Sequence, residues 1–260
     1  MIILKTKDEI EIMREGGQIL ADIMEKIKKE VRPGVTTLEL DSLADKLISE
    51  KGEPSFKHVR GYQWATCMCV NDVVVHGIPN NYKLKEGDIL GIDIGMIYKG
   101  FNSDMSWTME IQNSEFRIQN NKNNEIDKFL NTGKIALERA IKQAKVGNHI
   151  GHISKAIQDT IESAGYAPVK TLVGHGIGKN LHEEPQIPGF LKGNINDTPK
   201  LNEGMTIAIE VIYNQGSPEV IYGNDDGWTI KTINNKLSGL FEQTIAILSS
   251  GPEVLTVATN

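Results

Sequence analysis

A repeated sequence pattern constrains the fold of this chain more than any other feature. Residues 84–93 read LKEGDILGID, and residues 201–210 read LNEGMTIAIE. Each segment has a Leu, then Glu-Gly, then an apolar run typical of a strand, and each ends on a carboxylate, Asp93 or Glu210. The matched order predicts two similar halves that each deliver an acid to one shared cleft.

The helix and strand signals also recur in the same order. Apolar spacing predicts helices over residues 7–31, 36–52, 125–145 and 150–164. Strand patterns follow each pair of helices, over residues 67–75 and 88–98 and then 165–173 and 205–213. The polar, Asn-rich stretch 112–124 is expected to be a loop between the halves. We therefore predict one domain of mixed α/β (α+β) class over 1–260, with halves of about 1–111 and 125–260.

Composition and charge narrow the class of protein. The chain is 39% apolar and 24% charged, as expected of a soluble globular protein, and no apolar run approaches the roughly 18 residues of a membrane span. The first residues lack the features of a signal or transit peptide, so a cytoplasmic location is expected. A net charge of -6 argues against a broad basic face, so DNA is not an expected partner. Cys67 and Cys69 are expected to be reduced and to line one face of a strand.

The first candidate site is a pair of acids on a predicted hairpin. Lys99-Gly100 suits a two-residue hairpin loop. If that loop sets the register, Asp93 lies opposite Ser106, and Asp104 is a diagonal neighbour on the same face. Two ionised carboxylates so close repel each other, which a bound cation would relieve.

Three further side chains complete a set of metal ligands. His175 lies in a glycine-rich turn, whereas Glu210 and Glu242 interrupt apolar strands in which an unpaired charge would be costly. Four carboxylates and one imidazole suit two divalent cations, and the imidazole favours Mn, Fe, Co or Zn. His182 follows in the same turn, where it is either a proton donor or a substrate contact.

These residues lie in motifs that resemble type I methionine aminopeptidases over almost the whole chain. The motifs are NDVVVHGIP (71–79), the spacing from Asp93 to Asp104, GHGIGKNLHEEP (174–185), the strand of Glu210, DGWT (226–229) and FEQTIAI (241–247). The resemblance implies the pita-bread fold, in which two pseudosymmetric helix-helix-strand-strand halves surround a central dinuclear metal cleft. It also implies removal of the initiator methionine from nascent polypeptides, by hydrolysis with a water or hydroxide that bridges the two metal ions.

The resemblance assigns a role to each candidate residue. Asp93 would bind one metal ion, His175 and Glu210 the other, and Asp104 and Glu242 both. Glu210 would take the proton of the attacking water, His182 would contact the scissile carbonyl, and His76 would contact the peptide nitrogen.

The methionine pocket is where the chain departs from the family pattern. The stretch 61–67 is shorter than usual, Leu181 replaces an aromatic residue, and Gln243 replaces a His. Tyr62, Cys67, Leu181 and Trp228 are nevertheless expected to form an apolar slot for an unbranched thioether. Preference for methionine is therefore expected, in a less strict form.

Two other functions remain open at the level of sequence. An Xaa-Pro aminopeptidase or prolidase would share the five ligands, and a non-catalytic binding module would share the fold. The expected partners are peptides and nascent chains that begin with Met, together with transient contact to the ribosome. A monomer that binds no membrane is also expected.

Overall fold

The computed structural model describes residues 1–112 and 124–259. Its helices are α1 (Lys7–Glu30), α2 (Thr37–Ser49), α3 (Asn124–Gln143) and α4 (Ile150–Ser163). The four predicted helices are confirmed, with small shifts at their ends. The predicted loop over 112–124 lies almost entirely outside the described residues. No helix in the described part of the chain is long and apolar enough to cross a membrane.

Thirteen strands are present in the described residues. They are β1 (Glu53–Pro54), β2 (Thr66–Val70), β3 (Val73–Val75), β4 (Ile89–Tyr98), β5 (Phe101–Glu110), β6 (Ala167–Pro168), β7 (Val173–Gly176), β8 (Glu183–Pro188), β9 (Thr206–Asn214), β10 (Val220–Tyr222), β11 (Ile230–Thr232), β12 (Ser238–Leu248) and β13 (Gly251–Val254). Ten form one sheet, whose main path is β1-β4-β5-β12-β9-β7-β8, and β10, β11 and β3 form a second sheet.

Two of the predicted strands were wrong in extent. The single strand expected over 67–75 is two strands, because Asn71 has a positive φ of 52° and turns the chain. The strand expected over 165–173 is limited to Ala167–Pro168 and the first residue of β7. In both places a short apolar run has the sequence pattern of one continuous strand. In the folded chain only part of each run has a neighbouring strand with which to form hydrogen bonds, so the strand is shorter than predicted.

The two halves repeat at the level of the backbone. Gly87 and Gly204, the glycines of the two Glu-Gly pairs, both have positive φ, of 85° and 87°. Each half also has an isolated β-bridge from the N-cap of its second helix, Thr36 to Lys83 in one half and His149 to Lys200 in the other. The sequence repeat therefore corresponds to a repeated turn and a repeated helix start.

Alternation along the strands separates two faces of the large sheet. On one face, Ile92 and Ile94 of β4 pack with α1 and α2. On the same face, Ile207 and Ile209 of β9 pack with α3 and α4. Because side chains alternate along a strand, the residues between these isoleucines point to the opposite face. That opposite face carries the candidate ligands.

Candidate active site

Four adjacent strands align a row of polar side chains across the centre of the sheet. Asp93 of β4 pairs with Ser106 of β5, Ser106 pairs with Glu242 of β12, and Glu242 pairs with Glu210 of β9. Paired residues of antiparallel strands share a face, so all four side chains lie on the face opposite the helices. The hairpin register predicted from Lys99-Gly100 is confirmed, since Tyr98 pairs with Phe101.

Asp104 and His175 lie on the same face, beside this row. Asp104 lies two residues before Ser106 along β5. His175 of β7 pairs with Ala208, which lies two residues before Glu210 along β9. One ligand atom each from Asp104, His175 and Glu242 lie within 4.8 Å of one another. The Nε2 atom of His175 lies 3.6 Å from Oε1 of Glu210. The fold thus brings together all five predicted ligands, one from each of five neighbouring strands.

Local hydrogen bonds orient the ligand atoms. Nδ1 of His175 lies 2.8 Å from the carbonyl oxygen of Gly176, to which an Nδ1–H group donates. This contact leaves the Nε2 lone pair free to bind a cation. The hydroxyl of Ser106 lies 2.7 Å from Oδ1 of Asp93 and 2.8 Å from Oε2 of Glu242, so it connects two of the acids.

The acids are held in an environment that opposes their ionisation. Burial raises the pKa of Asp93 to about 6, against the lowering effect of hydrogen bonds from Ser106 and Cys67. Burial also raises the pKa values of Asp104 and Glu242 well above their ordinary values, and the neighbouring carboxylates raise both further. Such a cluster is stable when a cation supplies the missing positive charge or when protons are shared.

Unpaired oxygens show that the cluster fits a metal. Asp104 and Glu242 are only 4% and 3% exposed, yet Oδ1 of Asp104 and Oε1 of Glu242 have no hydrogen-bond partner among the described residues. A buried carboxylate oxygen without a partner is costly unless an ion coordinates it. Carboxylate oxygens and one imidazole nitrogen are suitable ligands for a divalent transition metal.

Two further histidines lie around the cluster. The rings of His182 and His175 are 4.5 Å apart, edge to face, and His182 keeps contact with solvent. Burial lowers the pKa of His76 and of His182, and it lowers the pKa of His175 to about 4. All three imidazoles are therefore neutral at pH 7. In that state each has one N–H donor and one free lone pair.

The predicted pocket residues line the same cavity as the ligands. This cavity, of about 140 Å³, is lined by the eleven predicted site residues Tyr62, Cys67, His76, Asp93, Asp104, His175, Leu181, His182, Glu210, Trp228 and Glu242. The ring of Tyr62 packs edge to face on Trp228 at 5.1 Å, and its hydroxyl lies 3.4 Å from Sγ of Cys67. The volume is below the roughly 300–1,000 Å³ of pockets for drug-sized ligands, so it suits a single side chain.

Some residues of the site were not predicted. Phe56, Val59, Val75 and Leu240 also line the cavity, and no local pattern distinguishes them from ordinary core residues. The predicted hairpin places Ser106 opposite Asp93, and its spacing of two from Asp104 puts it on the ligand face. No local pattern predicts that its hydroxyl connects two of the acids.

Known proteins are similar to this chain in sequence and in fold. The model of metallopeptidase family M24 matches residues 11–247. The chain belongs to this family. It is 42% identical over 258 residues to the methionine aminopeptidase of Clostridium perfringens, and the aligned region covers 99% of each chain. The resemblance to type I methionine aminopeptidases is thereby confirmed.

Solved structures give the same result for the fold. A methionine aminopeptidase from Thermotoga maritima superposes with a TM-score of 0.91 at 36% identity, and covers 98% of this chain and 99% of that one. The Xaa-Pro dipeptidase from Bacillus anthracis has a TM-score of 0.73 at 22% identity, and the match spans only 62% of its length. The predicted pita-bread fold is confirmed, and the second likeness concerns the fold alone.

Proposed function

We propose that this protein is a metal-dependent aminopeptidase that removes the amino-terminal methionine from polypeptides. The observation that carries the proposal is the position of the carboxylates relative to the apolar part of the cavity. The carboxylates of Asp93, Glu210 and Glu242 lie beside an apolar slot in one small cavity. A hydrolytic centre next to a pocket for one side chain suits removal of a single terminal residue.

The five acidic and imidazole ligands would hold two divalent ions. Asp93 would bind one ion, His175 and Glu210 the other, and the oxygens of Asp104 and Glu242 that lack partners would bind both. When bound, such ions lower the pKa of water toward neutrality and polarise the scissile carbonyl. Mn, Fe, Co and Zn all accept this ligand set.

The slot beside the ligands would hold the methionine side chain. The faces of Tyr62, Leu181 and Trp228 supply apolar contact, and the thiol of Cys67 adds a polarisable neighbour. An unbranched thioether adapts to such a slot more easily than a β-branched side chain. Leu181 is smaller and more flexible than an aromatic side chain, so other unbranched residues would also be accepted at a lower rate.

Three side chains would move protons or stabilise charge. Glu210 would accept the proton of the attacking water, and it would later deliver a proton to the leaving amine. His182, neutral because burial lowers its pKa, would donate an N–H hydrogen bond to the carbonyl oxygen as negative charge develops there. His76 would contact the peptide nitrogen and help to orient it for departure.

A peptide assay tests this function against the alternatives. Protein loaded with Mn, Fe, Co or Zn should release Met from Met-Ala-Ser and leave an Xaa-Pro peptide intact, and chelation should abolish release. Glu242→Gln should abolish both metal binding and turnover, whereas Gln243→Ala, on the opposite face of the same strand, should retain them. If no divalent metal supports release of Met, the proposal is refuted. Cleavage of only the Xaa-Pro peptide would instead identify a prolidase.

We further infer the setting in which the enzyme works. Its substrates would be nascent chains in the cytoplasm, reached through transient contact with the ribosome. Cys67 and Cys69 are buried and form no disulfide, as expected of a protein in a reducing compartment. One chain supplies every proposed ligand, which supports an active monomer and a single catalytic domain over residues 1–260. Sedimentation with and without ribosomes tests both the oligomeric state and this contact.

A further inference from the structure

The turn that carries His182, residues 178–182, is attached to the sheet at its first half. The side-chain amide of Asn102 in β5 donates hydrogen bonds to the carbonyl oxygens of Gly178 and Lys179, each at 3.1 Å. The backbone N–H of Asn102 also donates to Gly178, at 2.7 Å. These bonds fix where the turn starts, and the pairing of Glu183 in β8 with Gly176 in β7 fixes where it ends, so Leu181 and His182 between them depend on other contacts.

A buried ion pair holds the second half of the turn. Glu183 directly follows His182, and its Oε1 accepts a hydrogen bond of 3.1 Å from the backbone N–H of Asn180. Its Oε2 pairs with Nζ of Lys5, which comes from the segment before α1. The side chain of Glu183 is only 4% exposed, and that of Lys5 only 3%. Lys5 is itself fixed, since its backbone N–H donates to the carbonyl of Gly204 at 2.7 Å.

The energetics of this pair point to a role beyond stability. Removing two charges from water costs several kcal/mol for each ion, and their attraction repays this only with good geometry. A pair of apolar side chains would fill the same space at similar stability. What the charged pair adds is direction, because the Glu183 carboxylate must face both Lys5 and the N–H of Asn180. That requirement ties the backbone at Asn180 to the side chain that directly follows His182.

We propose that the Lys5–Glu183 ion pair positions His182 for catalysis. The inference rests on the proposed function, in which His182 donates a hydrogen bond to the developing oxyanion. A displacement of about 1 Å at such a donor can cost roughly 100-fold in rate. The amino-terminal segment is then part of the catalytic apparatus, although none of its side chains lines the cavity. Lys5 and Glu183 act through His182.

The chain offers a matched control. Lys179 and Glu9 form a second ion pair between the same turn and the start of α1, at 3.7 Å, but the Lys179 side chain is 71% exposed. Exposed pairs contribute little, typically about 0–1 kcal/mol. Lys179→Met therefore removes a charge contact between this turn and the amino-terminal part of the chain without unpairing a buried charge.

Steady-state kinetics on metal-loaded protein test the proposal. Lys5→Met should lower kcat for Met-Ala-Ser about tenfold or more, with KM changed less than about threefold, because the oxyanion contact forms only in the transition state. Lys5→Arg should keep most of the activity, since it retains the charge. The double variant Lys5→Met with Glu183→Gln should have a higher kcat than Lys5→Met alone. In the double variant no buried charge is unpaired, and the side-chain amide oxygen at position 183 still accepts the hydrogen bond from Asn180. Lys179→Met should match the parent.

A second measurement does not depend on turnover. In metal-free protein with labelled histidine, the imidazole resonance of His182, assigned by its loss in His182→Gln, should shift or broaden in Lys5→Met. It should be unchanged in Lys179→Met. If the parent protein releases no methionine, the proposed function fails, but this resonance still decides whether the ion pair orients His182.

Three outcomes would overturn the inference. One is a Lys5→Met variant with lower thermal stability but parental kcat and an unchanged His182 resonance, which would make the pair a structural brace only. Another is an equal loss of kcat in Lys179→Met. The third applies if Lys5→Met does not fold: a folded double variant whose kcat and His182 resonance equal those of the parent would show that the charges are dispensable.

Discussion

Replacing Ser106 with alanine removes one hydroxyl from the middle of the carboxylate row. The hydroxyl lies 2.7 Å from Asp93 and 2.8 Å from Glu242, and Ser106 is fully buried. It has one proton, so it donates to one carboxylate at a time. A hydrogen bond to a charged group contributes about 1.5–3 kcal/mol, and partners that orient metal ligands typically change metal affinity by about 10- to 100-fold. We expect Ser106→Ala to weaken binding of the first divalent ion within that range.

Competition titration against a fluorescent chelator at fixed pH measures this loss. Ser103→Ala is the matched control, because Ser103 is buried in the same strand, on the opposite face, where its hydroxyl donates to the carbonyl of Met13 at 3.4 Å. The control should bind metal like the parent. An affinity of Ser106→Ala within twofold of the parent, or an equal loss in Ser103→Ala, would refute the idea that the hydroxyl orients the ligands.

Metal-free protein should lose stability relative to its Glu242→Gln variant as the pH rises from about 5 to 8. Burial raises the pKa of Glu242 well above its unfolded value, so the folded chain keeps a proton that the unfolded chain has released, and this contribution is lost as the pH rises through the folded pKa. The histidines are present in both proteins, so their effect largely cancels in the difference. Urea unfolding of both proteins in EDTA should show the relative fall; a constant or rising difference would contradict the assignment. Gly133→Ala should lower the unfolding free energy by about 1–3 kcal/mol, because its Cβ would lie 2.4 Å from Phe241, and an unchanged urea midpoint would show that the ring can yield. Asp41→Ala should raise KM for Met peptides more than Asp41→Asn does. Oδ1 of Asp41 accepts three hydrogen bonds from Ala65 and Thr66 beside the pocket, and the amide oxygen of Asn can still accept them. Equal KM values for the two variants would show that these hydrogen bonds do not shape the pocket.

Much of the candidate site follows from local pattern. The period of two along β4 and β12 places Asp93 and Glu242 on the face opposite the apolar side chains, whatever the strands pair with. The hairpin loop Lys99-Gly100 fixes the register that brings Asp104 beside Asp93. The capping box at Thr36 likewise fixes the start of α2. These features need only a few neighbouring residues, so they can be read from the sequence.

Other parts of the site depend on contacts between distant segments. The break at Asn71 that separates β2 from β3 lies within a valine-rich run that resembles one strand. The contact from Asp41 to Ala65 and Thr66 joins α2 to the start of β2, and no motif includes both segments. A local pattern contains no information about such partners, because the energy that selects them arises only when the segments pack together.

The sequence by itself predicts two related halves that each supply an acid, five ligand-type side chains, and the alternation that puts the acids on one face of their strands. It could do so because strand period, turn chemistry and repeated motifs act over short stretches of chain. Only the tertiary structure decided that β5 and β12 meet at the centre of the sheet, where Ser106 aligns with Glu242. It alone also placed Lys5 against Glu183, because burial of a charge selects its partner by position in space and not by distance along the chain.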